Sequence, residues 1–106
     1  MNFLEKQILD DLKSLLSQRI PLHRMILFGS RARGDADPDS DMDVLVIVEG
    51  RYTQRMREIV SECAWEAGFG RGIVVSTVVY SREDWENGPE KHSLLALAIE
   101  KEGVPI

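Results

Sequence analysis

Hydrophobic positions along the chain change period several times, and each change marks an element. Leu4, Ile8, Leu12, Leu15 and Leu16 recur at helical spacing, with Asp10, Asp11 and Lys13 on the other side. The spacing predicts an amphipathic helix over residues 3–19, ended near Pro21. Residues 23–28, His-Arg-Met-Ile-Leu-Phe, then run apolar up to Gly29-Ser30 and read as a short buried strand. A polar, turn-rich stretch with Gly34, Pro38 and three aspartates fills the interval to Ser40. Residues 42–48, Met-Asp-Val-Leu-Val-Ile-Val, are β-branched and apolar and give the strongest strand signal in the sequence.

Glu49-Gly50 closes that strand. Met56, Ile59, Val60, Cys63 and Ala67 then share one helical face within residues 52–67, opposite Glu58, Glu62 and Glu66. Gly68, Gly70 and Gly72 break this helix, and residues 73–80, Ile-Val-Val-Ser-Thr-Val-Val-Tyr, predict a third strand. Ser81-Arg-Glu-Asp84 has the form of a capping box opening a short turn around Trp85. A last helix is expected over residues 91–101, and Val104-Pro105-Ile106 can add a short edge strand. Helices alternating with strands argue for an α/β or α+β sandwich, a small sheet covered by helices.

Composition narrows the class. A chain of 106 residues, with no repeat and no linker-like tract, is expected to form one domain over residues 1–106. It can bury roughly 65% of its unfolded surface. With 43% hydrophobic and 29% charged residues it is neither disordered nor fibrous. No apolar run approaches the ~18 residues of a membrane span, and Met-Asn-Phe-Leu-Glu-Lys-Gln at the start is too polar for a signal peptide. One cysteine supports neither a disulfide framework nor a cysteine-based zinc site, so a cytoplasmic protein is expected. Eighteen acidic against thirteen basic residues, a net charge of −5, argue against direct nucleic-acid binding. Small anions remain open to a locally basic pocket or to a bound metal.

The chemistry concentrates between the first two strands. In Phe28-Gly29-Ser30-Arg31-Ala32-Arg33-Gly34, glycine lets the backbone approach a ligand, and Ser30 starts a helical turn whose first N–H groups lack internal partners. Those donors, the serine hydroxyl, Arg31 and Arg33 together suit a phosphate. The segment is neither a Walker A loop nor a dinucleotide fingerprint. Asp41 and Asp43 follow, two apart at the start of a strand, so their side chains leave the same face with Cα atoms roughly 6.6 Å apart. Both can converge on one cation, and Mg²⁺ shared with substrate phosphates would relieve their repulsion. A Gly-Ser turn alone is usually a turn, and an Asp-x-Asp pair is usually solvated. The combination, set between two apolar strands, is far more specific.

This arrangement resembles the nucleotidyltransferase superfamily typified by DNA polymerase beta: an apolar strand, Gly-Ser, then Asp-x-Asp opening the next strand. The fuller run from Gly29 to Gly34 and through Ser40-Asp41-Met42-Asp43 is similar to the minimal nucleotidyltransferases of bacteria and archaea. Those are single-domain proteins commonly encoded beside a helical HEPN-domain partner. The resemblance implies a polymerase beta-like core, with Gly29, Ser30 and Ser40 at the nucleotide and Asp41 and Asp43 holding Mg²⁺. It leaves Arg33 either touching phosphate or bracing the loop, or paired to Asp35 or Asp39. It further implies transfer of AMP from ATP to a hydroxyl of a HEPN toxin, with this chain as antitoxin. Active members carry a third carboxylate on a later strand, but Ile73–Tyr80 holds none, and Ser76 is the polar residue at the matching place. The alternatives are therefore a degenerate member that neutralises its partner by binding alone, or, less well supported, a transferase acting on a small molecule such as an aminoglycoside.

The remaining conspicuous residues have ordinary readings. Cys63 suits a small core hydrophobe, and His23 and His92 are isolated from any ligand pattern. Trp65 and Trp85 fit either core or interface, and the run Leu94–Ile99 is more apolar than a one-faced helix requires.

Overall fold

The computed structural model describes residues 1–106. The chain begins with a helix, α1 (Phe3–Arg19), because Asn2 and Glu5 cap each other: the Asn2 side chain accepts from the Glu5 N–H at 2.8 Å, and Glu5 accepts from the Asn2 N–H at 2.9 Å. This reciprocal cap has a tertiary consequence. Glu5 faces inward, so the buried stripe of α1 runs Glu5, Ile8, Leu9, Leu12, Leu16, while Leu4 stays outside it, 37% exposed. The expected place of Leu4 on the apolar face is thus corrected, and Leu9 joins the core instead.

Four strands form one sheet: β1 (Leu22–Phe28), β2 (Met42–Val48), β3 (Val75–Ser81) and β4 (Val104–Pro105), in the order β3-β2-β1-β4. β1 is antiparallel to both β2 and β4, and β2 is parallel to β3. Between them lie α2 (Ser30–Arg33), α3 (Gln54–Gly68), α4 (Arg82–Asn87) and α5 (Leu94–Glu102). Met25 and Leu27, with Met42, Val44, Val46 and Val48, pack against α1 and α3 on one face of the sheet. Ile26, Leu45 and Ile47 meet Ile99 on the other, flanked by Phe28, Val78, Tyr80, Trp85 and Leu95. Because β2 is covered on both sides, its sequence is continuously apolar rather than alternating. This is the expected mixed α+β architecture, a small mixed sheet flanked by helices.

Three starts move. α3 opens at Gln54 rather than residue 52, capped by the Thr53 side chain, which accepts from the Met56 N–H at 3.2 Å. β3 starts at Val75, not Ile73, because three glycines shape a longer turn. Gly70 and Gly72 take positive φ of 80° and 75°, and a side chain on Gly68, the last residue of α3, would strike the carbonyl of Ile73. Ile73 is buried against the helices instead of joining the sheet. α5 begins at Leu94 rather than residue 91, since Pro89–His92 forms a 3₁₀ turn and the Ser93 hydroxyl then accepts from the Ala96 N–H. The short helix after β3 keeps half of the expected capping box: Ser81 accepts from the Asp84 N–H at 3.1 Å, but the Asp84 carboxylate does not return the bond.

Candidate active site

Antiparallel pairing sets Phe28, the last residue of β1, opposite Asp43 near the start of β2. The Gly29-Ser30 turn therefore lies beside Asp43. Gly29 has φ 76° and ψ −159°, backbone that is nearly confined to glycine. A Cβ there would collide with Asp43 Oδ2, so the missing side chain is what lets this carboxylate lie against the turn. From Gly29 the chain enters α2, where the Ala32 and Arg33 N–H groups bond back to the Gly29 carbonyl. Ser30 and Arg31, at the start of the helix, have no carbonyl within it to bond.

Asp41 is exposed and Asp43 half-buried, two residues apart and so on the same side of the chain. Burial, then the negative charge of Asp41, raises the Asp43 pKa above the ordinary carboxylate value, with Arg33 opposing both. Such a pair favours a cation. Ser76 is exposed and lies directly across from Asp43 in the parallel β2–β3 register, hence on the same face of the sheet. No group of three or more Asp, Glu, His or Cys side chains converges anywhere in the molecule. His23 pairs with Glu49 at 3.0 Å, away from the turn.

The two arginines of the turn separate in role. Arg31, expected near phosphate, is buried and fully engaged. It donates to Glu5 at 3.0 Å, to the Ser40 carbonyl at 2.7 and 3.0 Å, and to the Pro38 carbonyl at 3.2 Å. It joins α1 to the loop that delivers Asp41. Arg33 is exposed, paired with Asp35 at 3.2 Å and with Glu102 of α5 at 3.2 Å. Of the alternatives for Arg33, the pair with Asp35 forms and that with Asp39 does not. The Ser40 hydroxyl accepts from the Asp37 N–H at 3.1 Å, closing the loop on itself. Glu5 and Glu102 thus support the site from distant elements; neither is expected there from the sequence, and only the capping-box spacing of Asn2 and Glu5 could have pointed to one of them.

An apolar strand, a glycine turn against one carboxylate, and a second carboxylate two residues before it thus meet at one end of a mixed α+β domain. Residues 5–101 match the family of nucleotidyltransferase domains, and the chain belongs to that family. Two Methanocaldococcus jannaschii proteins named as protein adenylyltransferases are similar to it. One is 34% identical over 77 residues, 73% of this chain and 76% of that protein. The other is 32% identical over 78 residues, 74% and 71% respectively. Among solved structures the fold is similar to that of a toxin–antitoxin complex with AMP-PNP, with a TM-score of 0.62 and 20% identity over 91% of this chain and 69% of that one. It is also similar to a chain of the complex between tri-AMPylated Shewanella oneidensis HEPN toxin and MNT antitoxin, with a TM-score of 0.56 and 16% identity over 97% and 71%.

Proposed function

We propose that this nucleotidyltransferase moves AMP from ATP to a hydroxyl on a HEPN-type partner protein, acting as its antitoxin. The observation that carries the proposal is the seating of Asp43 against the Gly29-Ser30 turn with Asp41 on the same face. The names of the relatives and fold neighbours support the choice of acceptor.

Asp41 and Asp43 suit Mg²⁺, being two hard oxygen donors, and burial first and the charge of Asp41 second already push the Asp43 pKa up. Bound there, the ion would neutralise triphosphate charge and polarise the α-phosphoryl group. The protein's own part is positional. Gly29 leaves room, Ser30 offers its hydroxyl and a free N–H, and Arg31 holds the loop that aims Asp41. The acceptor oxygen then bonds to the α-phosphorus in line as the bond to pyrophosphate breaks.

Incubation with ATP, Mg²⁺ and the partner, followed by intact-mass measurement, should add one or more AMP groups to the partner. Asp41→Asn with Asp43→Asn should abolish that addition and Mg²⁺-dependent ATP binding while leaving the fold intact. Unchanged nucleotide binding by that double variant would remove the site assignment.

A second reading is favoured by one observation: Ser76 stands where a third carboxylate would face Asp43. On that reading the chain keeps its partner inactive by occupying it. A stable complex, with no mass added under any nucleotide, would select this reading.

A further inference from the structure

The two edges of the sheet differ. β4 is two residues long and contains Pro105, an edge that resists pairing. β3 is seven residues, Val-Ser-Thr-Val-Val-Tyr-Ser, in unbroken register with β2, with no charge, proline or bulge. It has none of the usual guards. Met42 donates to the Val74 carbonyl at 2.9 Å, which fixes the parity of the strand. The backbone groups of Ser76, Val78 and Tyr80 therefore face β2, and those of Val75, Thr77 and Val79 face outward. No hydrogen bond reaches these outward groups.

A second observation lies over the same edge. Arg57 and Ser61 of α3 line a shallow groove with Thr77 and Val79, so this side of the helix overhangs β3. One turn beyond Ser61 stands Trp65, 66% exposed and stacked on the 68%-exposed Phe69 with ring centroids 4.5 Å apart. Paired aromatics exposed this far beside an unguarded strand mark an association surface.

We propose that the occupant is a second copy of this chain, with β3 pairing antiparallel to β3 across a two-fold axis at Val78. That register uses all seven residues, placing Val75 opposite Ser81 and Thr77 opposite Val79, so the outward N–H and C=O groups satisfy one another. The strand itself has no charge, so the net −5 does not set like acidic charges against each other along it, and Arg57 is the one charged residue of the groove beside it. One operation answers both observations: the two α3 helices fall side by side on one face of a continuous sheet, covering Trp65 and Phe69. On the opposite face it sets Tyr80 of the second copy across from Ser76, at the rim of the carboxylate site. The pairing rests on the open edge and the aromatic pair beside it, and stands whichever reaction the site performs.

The test is light scattering coupled to size exclusion, with amide hydrogen exchange, on the full chain from low to high micromolar concentration. The mass should rise toward twice 12.0 kDa, and the Thr77 and Val79 amides should become protected as it does. Thr77→Pro removes an outward N–H without touching the β2 ladder and should leave a folded monomer. Trp65→Glu, at an exposed position that folding does not need, should weaken the dimer at least tenfold and decides the matter if the proline variant fails to fold. A monomer at every concentration would overturn the proposal. So would a dimer indifferent to Trp65→Glu and unprotected at Thr77 and Val79, or protection of those amides only on addition of a different protein.

Discussion

Replacing Gly29 with alanine adds one methyl group where the Asp43 carboxylate already lies, on backbone that other residues rarely adopt. The strain alone is about 1–3 kcal/mol, and the methyl group must also displace Asp43. Gly29→Ala should therefore remove Mg²⁺-dependent ATP binding by calorimetry while circular dichroism stays close to that of the parent. Binding within a fewfold of the parent would mean that the Asp43–Gly29 contact does not shape the site. Ser76 poses the complementary question. A carboxylate there would share a face with Asp41 and Asp43, and losing a group that manages protons or metal typically costs ~10²–10⁴-fold. Ser76→Asp is expected to raise partner modification at least tenfold, with ATP affinity nearly unchanged. A brisk parent slowed by this change would put the missing ligand elsewhere, on the 35–39 loop or the partner. Gly29, Asp41, Asp43 and Ser76 were legible because their pattern is local: a strand end, a turn, a strand start and one register position. Arg31 was not. Its neighbours in sequence suggested phosphate, but its partner is Glu5, 26 residues earlier, and only packing brings them together.

Among the elements, one buried ion pair joins α1 to α2, and its arginine also holds the following loop by the Pro38 and Ser40 carbonyls, so the site depends on a helix that contributes nothing to the chemistry. Burial works against the Glu5 carboxylate. The Asn2 N–H and the Arg31 guanidinium outweigh it and hold its pKa below the ordinary value. A carboxylate depressed in the folded state adds stability above its unfolded pKa of about 4.3, and that stability fades as pH falls through the lower folded value. Glu5→Gln should cost about 3–5 kcal/mol at neutral pH, since it leaves Arg31 buried without a counter-charge. Denaturant midpoints should then fall less steeply on acidification than those of the parent. Parallel pH profiles would show that Glu5 does not supply this part of the acid sensitivity. The element types were readable wherever burial had one cause. The doubly covered β2 gave its apolar run, and the one-faced α3 gave its stripe. The starts of β3 and α5 were not, because a turn built on glycines at positive φ and a 3₁₀ turn after Pro89 consume residues whose hydrophobicity matches the elements they precede.

Over the whole molecule, the two sheet faces have different tasks. The face under α1 and α3 holds the larger core, while the other carries Asp41 and Asp43 at one end and is only partly roofed by α4 and α5. α5 buries Ile99 but leaves Leu94 86% and Leu97 54% exposed. These leucines belong to the helix that Glu102 ties to Arg33 beside the carboxylates. A partner seated on them would lie on the reactive side of the sheet, away from the open edge of β3. The proposed transfer to a protein acceptor needs such a seat. Changing Leu94 and Leu97 together to serine removes apolar anchors without opening a cavity, and fully burying a leucine side chain is worth about 1.5–3 kcal/mol. The double variant should weaken the complex with the HEPN-type partner at least tenfold by titration, and slow its modification at limiting partner concentration. ATP binding should be unchanged, because no contact with Gly29, Ser30, Asp41 or Asp43 is altered. If the complex forms as tightly as before, the partner docks elsewhere, and the exposed leucines of α5 are not its seat.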